Sequence, residues 1–311
     1  MNVTIIGLGL LGGSFALGLK ESQLFDNLNI IGVDKNPDHA IKAKELGIID
    51  QIDELDEAIK RSEMVVLATP VDIMVKQAPI VLEKLPEKAL LIDLGSTKGD
   101  ICEAVRSHAK RDQFLALHPI AGTENSGPEA AFASLFTNKM MIICDHELSD
   151  KQGLELILQI CEKFQMRVSY MNSKEHDLHI AYVSHLSHIS SFALGLTVLE
   201  KEQNEKNIFN MAGSGFSSTV RLAKSSPAMW SPIFQQNAGN ISEALDAYIS
   251  KLQEFKAVID NQNTSKSYEL MEEANDIRRV LLGISKTEIK DKKGKKWYQY
   301  LKDKFLKPKS A

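Results

Sequence analysis

Cysteine is scarce: Cys102, Cys144 and Cys161 are the only three in 311 residues. An odd, widely spaced set in apolar surroundings builds neither a disulfide framework nor a zinc site, and it fits buried thiols in a reducing compartment. Long hydrophobic runs are missing as well, since no stretch of about 18 residues lacks breakers or charges. Met1 leads through Asn2, Val3 and Thr4 straight into apolar Ile5 and Ile6, without a basic leader. The expectation is therefore a cytoplasmic protein that neither enters nor binds a membrane. A strong charge of one sign is absent too, the net charge being only -4. That balance gives no general attraction for nucleic acid.

What charge there is lies unevenly. From Lys286 onward ten lysines face only Glu288, Asp291 and Asp303, which makes residues 284–311 a tail of about +7 on a body of about -11. The tail reads as a solvated extension, with Trp297, Tyr298, Tyr300 and Phe305 as side chains that could dock. The remaining chain, 43% hydrophobic and 25% charged overall, is long enough for two packed domains.

The apolar pattern in the first half predicts strands at 2–6, 29–34, 64–68, 89–94, 114–117, 140–144 and 166–170, with amphipathic helices between them. Short apolar strands separated by helices require a parallel-type sheet covered on both faces. After residue 170 the pattern turns wholly helical, over 175–200, 231–261 and 265–282. Ser173 is expected to cap the first of these, and Ser231 with Pro232 to open the second. The expected fold class is α/β, with an N-terminal Rossmann domain over 1–172, an all-α domain over 173–283, and the tail. The apolar stretch 180–199 is too hydrophobic for one exposed layer, which predicts a homodimer through the helical domain.

The first strand ends in Gly7-Leu8-Gly9-Leu10-Leu11-Gly12, the G-x-G-x-x-G pattern. Between a strand and a helix it is a dinucleotide fingerprint, reinforced by Asp34 ending the next strand 22 residues after Gly12. Gly7 permits the tight turn, Gly9 lets a pyrophosphate approach the backbone, and Gly12 allows close helix packing. Asp34 can accept hydrogen bonds from both ribose hydroxyls and repels a 2′-phosphate, which favours NAD over NADP. Lys35 acts against that preference.

Ligands of open parallel sheets bind beyond the carboxyl ends of the strands. Following each strand to its end places Gly7, Asp34, Thr69, Pro70, Gly95, Ser96, His118 and Pro119 along one crevice. His118 is the one imidazole there, and histidine suits a base that takes a hydroxyl proton near neutral pH.

Four segments together carry a specific resemblance. The run Leu117-His118-Pro119-Ile120-Ala121-Gly122-Thr123-Glu124, preceded by Asp93-Leu94-Gly95-Ser96-Thr97-Lys98, resembles the prephenate/arogenate dehydrogenase family. Ser184-His185-Leu186-Ser187-His188 looks like that family's S-H-L-P-H helix, and residues 213–230 look like its arginine-bearing motif. The likeness runs in motif order over about residues 1–283. Ser187, Ser218 and Val220 depart from it, where proline, aspartate and threonine are usual.

The resemblance implies a Rossmann domain followed by a helical dimerisation domain, and NAD-dependent oxidative decarboxylation of prephenate or arogenate. It implies His118 as the base, Ser96 as a partner of the same substrate oxygen, and Arg221 as a fork for one of the substrate's carboxylates. His188 is implied as a substrate-side donor. Glu124, six residues after His118, has three readings: a partner for Arg221, a residue that closes the site, or, most simply, an exposed loop carboxylate. No metal is expected, because His185 and His188 lack a carboxylate or cysteine to complete a ligand set. A binding protein that senses NAD without catalysis is the alternative of a different class.

Overall fold

The computed structural model describes residues 1–123 and 125–281. Glu124 and the basic tail lie outside the described residues. By packing, the chain divides into two compact units, one from Met1 to Leu245 and one from Asp246 onward.

The first unit is built on an eight-stranded sheet: β1 (Asn2–Ile6), β2 (Asn29–Val33), β3 (Gln51–Ile52), β4 (Met64–Leu67), β5 (Leu90–Asp93), β6 (Phe114–Pro119), β7 (Met140–Cys144) and β8 (Arg167–Met171). Its order is β3-β2-β1-β4-β5-β6-β7-β8. The chain winds outward from β1 to β3, then returns and winds the other way from β4 to β6. The reversal leaves a crevice at the ends of β1 and β4, where open α/β sheets take ligands.

Within single strands the side chains split between two cores, as a period of two requires. Val3, Ile5, Met64 and Val66 join one buried cluster while Ile6, Val65 and Leu67 join the other. On the first face pack α1 (Leu10–Ser22) and, late in the domain, the helix Lys151–Lys163, through Phe15, Leu19, Ile157 and Ile160. α2 (Pro37–Glu45) joins the first face through Ala40 and Ala43, and on the second lie α3 (Leu55–Lys60), α4 (Val71–Lys84) and α5 (Gly99–Val105), through Ile59, Met74, Ala78 and Ile101. The helix Lys151–Lys163 is α6.

Two features of the sheet differ from the expectation. β3 is an additional two-residue edge strand, too short to leave a pattern in the sequence. β7 runs antiparallel to β6, because among the described residues of the joining segment 120–139 there are only short 3₁₀ turns and no crossover helix. That pairing also lengthens β6 beyond the expected residue 117, so that His118 is itself a strand residue opposite Ile142.

After β8 the chain is helical: α7 (Ser173–Ile180), a π-helical turn Ala181–His185, α8 (Leu186–Asn204), α9 (Ser214–Thr219), α10 (Pro227–Gln236) and α11 (Ala238–Asp260). The caps fall earlier than expected. Asn172, not Ser173, accepts from the Glu175 amide at the start of α7. α10 opens with Ser226 and Pro227, and Pro232 lies inside the helix. Ser226-Pro227 and Ser231-Pro232 are the same dipeptide, and tolerance of proline in the first turn suits either; the structure uses the first.

The second unit comprises the rest of α11, then α12 (Thr264–Ala274) and α13 (Ile277–Leu281). Asn263 caps α12 by accepting from the Lys266 amide.

Candidate active site

The glycine turn has the geometry that a dinucleotide needs. Gly7 has φ +98, and a Cβ there would lie 2.6 Å from the Ala68 carbonyl oxygen. A Cβ on Gly12 would lie 2.0 Å from the Gly7 oxygen. Both positions therefore exclude every side chain, whereas a Cβ on Gly9 would meet nothing within 4 Å. Gly9 faces open space, and α1 begins beside it without a side-chain cap, leaving first-turn amides for an anion. Leu8 is fully buried and Leu10 and Leu11 half-buried, fastening the turn to the core.

At the end of β2, Asp34 is already oriented. Its two oxygens accept from the Leu8 amide at 2.8 Å and the Asn36 amide at 2.9 Å. Each oxygen keeps a second lone pair, so the carboxylate can still receive ribose hydroxyls. On the β4 side Thr69 donates to Gln77 Oε1 at 3.0 Å, and Pro70 precedes α4. These residues fit a dinucleotide.

The loop after β5 is set by a buried ion pair. Asp93 and Lys98, both 0% exposed, bond to one another. Lys98 Nζ also donates to the Leu117 carbonyl at 2.8 Å, while Asp93 accepts from the Gly95 and Leu117 amides. Loop and β6 are thereby tied together on either side of half-buried Ser96 and just before His118.

His118 is buried, and its Nδ1 lies 2.8 Å from His176 Nε2. His176 Nδ1 in turn lies 2.8 Å from Asp177 Oδ1. Asp177 also accepts the Lys98 amide at 2.8 Å and the Gly99 amide at 2.7 Å. Burial, then the neighbouring His176, Lys98 and His185, hold the His118 pKa well below 6.5. Burial raises the Asp177 carboxyl, but the bonds from His176 and the two amides outweigh it and lower the pKa. The resting state is neutral imidazole beside carboxylate.

The helical residues form a second group. His188 stacks on Trp230 with ring centroids 3.6 Å apart, and His185 meets the same indole edge-on at 5.8 Å. Asn237 donates to the Asp177 carbonyl and contacts His185 Nδ1 at 3.1 Å. That amide hydrogen makes His185 Nδ1 the acceptor, so its proton sits on Nε2. His185 Nε2 and Trp230 Nε1 are both buried without a partner among the described residues. Burial takes the His185 pKa down to about 4, so it stays a neutral donor.

His188 Nδ1 donates to the Ser184 carbonyl at 2.9 Å, which leaves Nε2 as an acceptor in the neutral ring. Burial lowers its pKa, the Ser184 carbonyl raises it and Arg221 lowers it. The expected donor role at His188 thus belongs to its protonated form, which an anionic substrate would favour. Arg221 is exposed, at the start of a 3₁₀ turn, Arg221–Lys224, held against α8 by the bond from the Ala223 amide to Ser191.

His176 and Asp177 are the residues that the sequence reading passed over. Their signal was present: Ser173, His176, Asp177 and Ile180 are all buried at the spacing of an inward helix stripe, where polar groups call for partners.

Two family models match the chain: "Prephenate dehydrogenase, nucleotide-binding domain" over residues 15–170 and "Prephenate dehydrogenase, dimerization domain" over 172–273. The chain belongs to the prephenate dehydrogenase family. A prephenate dehydrogenase of Bacillus subtilis is 30% identical over 89% of this chain and 75% of its own length. A cyclohexadienyl dehydrogenase of Zymomonas mobilis is 27% identical, with 90% and 96% covered. Among solved structures, Aquifex aeolicus prephenate dehydrogenase in complex with hydroxyphenyl propionate and NAD+ is 33% identical, with a TM-score of 0.82 over 90% of this chain and 98% of that one. Family membership and the Rossmann-plus-helices fold agree with the resemblance read from the motifs.

Proposed function

We propose that this chain catalyses NAD-dependent oxidation and decarboxylation of prephenate to 4-hydroxyphenylpyruvate, the precursor of tyrosine. The observation that carries the reading is His118. It is buried at the carboxyl end of β6 with Nδ1 engaged by His176, which leaves Nε2 as the nitrogen for a substrate hydroxyl. Residues 1–172 would hold the cofactor, and His188 and Arg221 of the helical region complete the substrate site.

Gly7, Leu8, Gly9, Leu10, Leu11 and Gly12 would hold the cofactor, with Asp34 available to the adenosine ribose and Thr69, Pro70 and Gly95 to the nicotinamide half. When bound, NAD supplies the hydride acceptor. His118 takes the hydroxyl proton, Ser96 bonds the same oxygen, and Arg221 and His188 hold carboxylate. As the ring carboxylate leaves as carbon dioxide, its electrons aromatise the ring and the developing phenolate recovers a proton from His118. The charges balance without net proton release: prephenate dianion and NAD+ give the product monoanion, carbon dioxide and NADH. The base therefore resets itself each turnover.

Incubation of the protein with NAD and prephenate, and separately arogenate, tests this reading. NADH forming faster with prephenate supports it; preference for arogenate moves the substrate, and no NADH with either favours a protein that only senses the nucleotide. Cofactor choice has its own test. NAD should outcompete NADP, and Asp34→Ser should narrow the gap by removing the charge that repels a 2′-phosphate. Equal efficiency with NADP in the unmutated enzyme contradicts this role for Asp34.

The assembly proposed is a cytoplasmic homodimer formed by the helical region. Of the 19 residues in α8 only Ser191 is buried, while Leu196 is 66% and Leu199 54% exposed. In α11 only Ile241 and Ala244 are buried. Apolar helix faces of this length call for a covering partner. Light scattering at micromolar concentration should give twice the chain mass of 34.6 kDa, and a monomer would refute the dimer. No helix among the described residues is long and apolar enough to cross a membrane.

A further inference from the structure

We infer that His176 and Asp177 act as a positioning pair that fixes which nitrogen of His118 carries the proton. The inference rests on the reading of His118 as the base, and it follows from donor and acceptor counting along one chain of bonds. Asp177 already accepts the Lys98 and Gly99 amides and, held as carboxylate, has no hydrogen to give. The group facing it at 2.8 Å, His176 Nδ1, must then be the donor. A neutral imidazole has one N–H, so His176 Nε2 is bare and accepts. The atom facing it at 2.8 Å is His118 Nδ1, which must donate. His118 Nε2 is left with its lone pair, the form a base requires.

The same chain serves the step in which His118 becomes imidazolium. Its Nδ1–H stays bonded to His176, and the Asp177 charge, one ring further away, offsets the positive charge without accepting the proton. A carboxylate that sets imidazole tautomer and orientation is the logic of the Ser-His-Asp triad; here a second imidazole is interposed. Burial makes the arrangement strict, since His176 is 1% and Asp177 6% exposed, and water is not at hand to substitute for either partner.

The test combines a spectroscopic reading of the unmutated protein with kinetics of three variants. In ¹⁵N-histidine NMR, with signals assigned by their loss in His118→Asn and His176→Phe, His118 should show a protonated Nδ1 and a bare Nε2. A protonated Nε2 on resting His118 overturns the proposal whether or not any variant folds. Asp177→Asn should lower kcat on the order of a thousandfold, and His176→Phe on the order of a hundredfold, with NAD affinity and the Michaelis constant within about threefold of the parent. His176→Gln keeps one donor and one acceptor in the same order and should recover about tenfold over His176→Phe. Kinetics within threefold of the parent for Asp177→Asn overturn the proposal, as does equal activity of the Gln and Phe variants. Absence of turnover with prephenate alongside the expected tautomer counts against the proposed substrate and leaves the positioning pair intact.

Discussion

His118→Asn is expected to lower kcat by on the order of a hundredfold or more with little change in NAD affinity. Asparagine retains a neutral hydrogen-bonding side chain near His176 but has no lone pair basic enough to take a hydroxyl proton. The glycine turn from Gly7 to Gly12 lies at the end of another strand, so its geometry does not depend on the imidazole. In the unmutated enzyme the same assignment fixes a pH dependence. Burial first, then His176, Lys98 and His185, hold the imidazolium form in disfavour, so the neutral base persists as pH falls through 6.5. The acid limb of kcat/KM should therefore lie below 6.5, and it should vanish in the variant. Near-normal turnover in His118→Asn would remove His118 from the mechanism.

Arg221→Ala should raise the Michaelis constant for prephenate by about ten- to a thousandfold while kcat falls less. A carboxylate that is charged both in the ground state and in the hydride-transfer transition state is bound equally in each, and uniform binding appears in KM. The magnitude is that of a charge-assisted hydrogen bond worth about 1.5–3 kcal/mol, or more once substrate covers it. Arg221 is exposed, and an exposed ion pair contributes little, so the effect depends on substrate closing over the guanidinium. Arg221→Lys distinguishes charge from shape, because lysine keeps the charge and loses the two-pronged fork. Unchanged KM in both variants would make Arg221 a structural residue and leave the carboxylate anchor to be sought among the buried donors, His185 Nε2 and Trp230 Nε1.

Much of this was legible in the sequence because it depends on local chemistry. A G-x-G-x-x-G turn that ends a strand and starts a helix has few other uses, and in the structure Gly7 and Gly12 prove to be sites where a Cβ collides with backbone. The apolar strands announced the sheet, and all seven expected strands are present. What escaped the sequence was non-local. The antiparallel β7 depends on how 120–139 turns back, which no periodicity records. The bond between His118 and His176 joins residues 58 apart, and the anchoring of Asp177 by the Lys98 and Gly99 amides spans nearly 80. Lys98 is fully buried against Asp93, a pairing that its place in the motif Asp93–Lys98 does not disclose. A charged residue in an apolar core needs a partner, and only the fold reveals which one.

The most direct test of the account follows the hydride itself. Prephenate carrying deuterium at the carbinol carbon is incubated with the protein and NAD, and the NADH and 4-hydroxyphenylpyruvate formed are analysed by mass spectrometry. The expected result is one deuterium in each NADH, none retained at that ring carbon, and one product molecule for each NADH. Absence of deuterated NADH in the presence of folded, NAD-binding protein would contradict it.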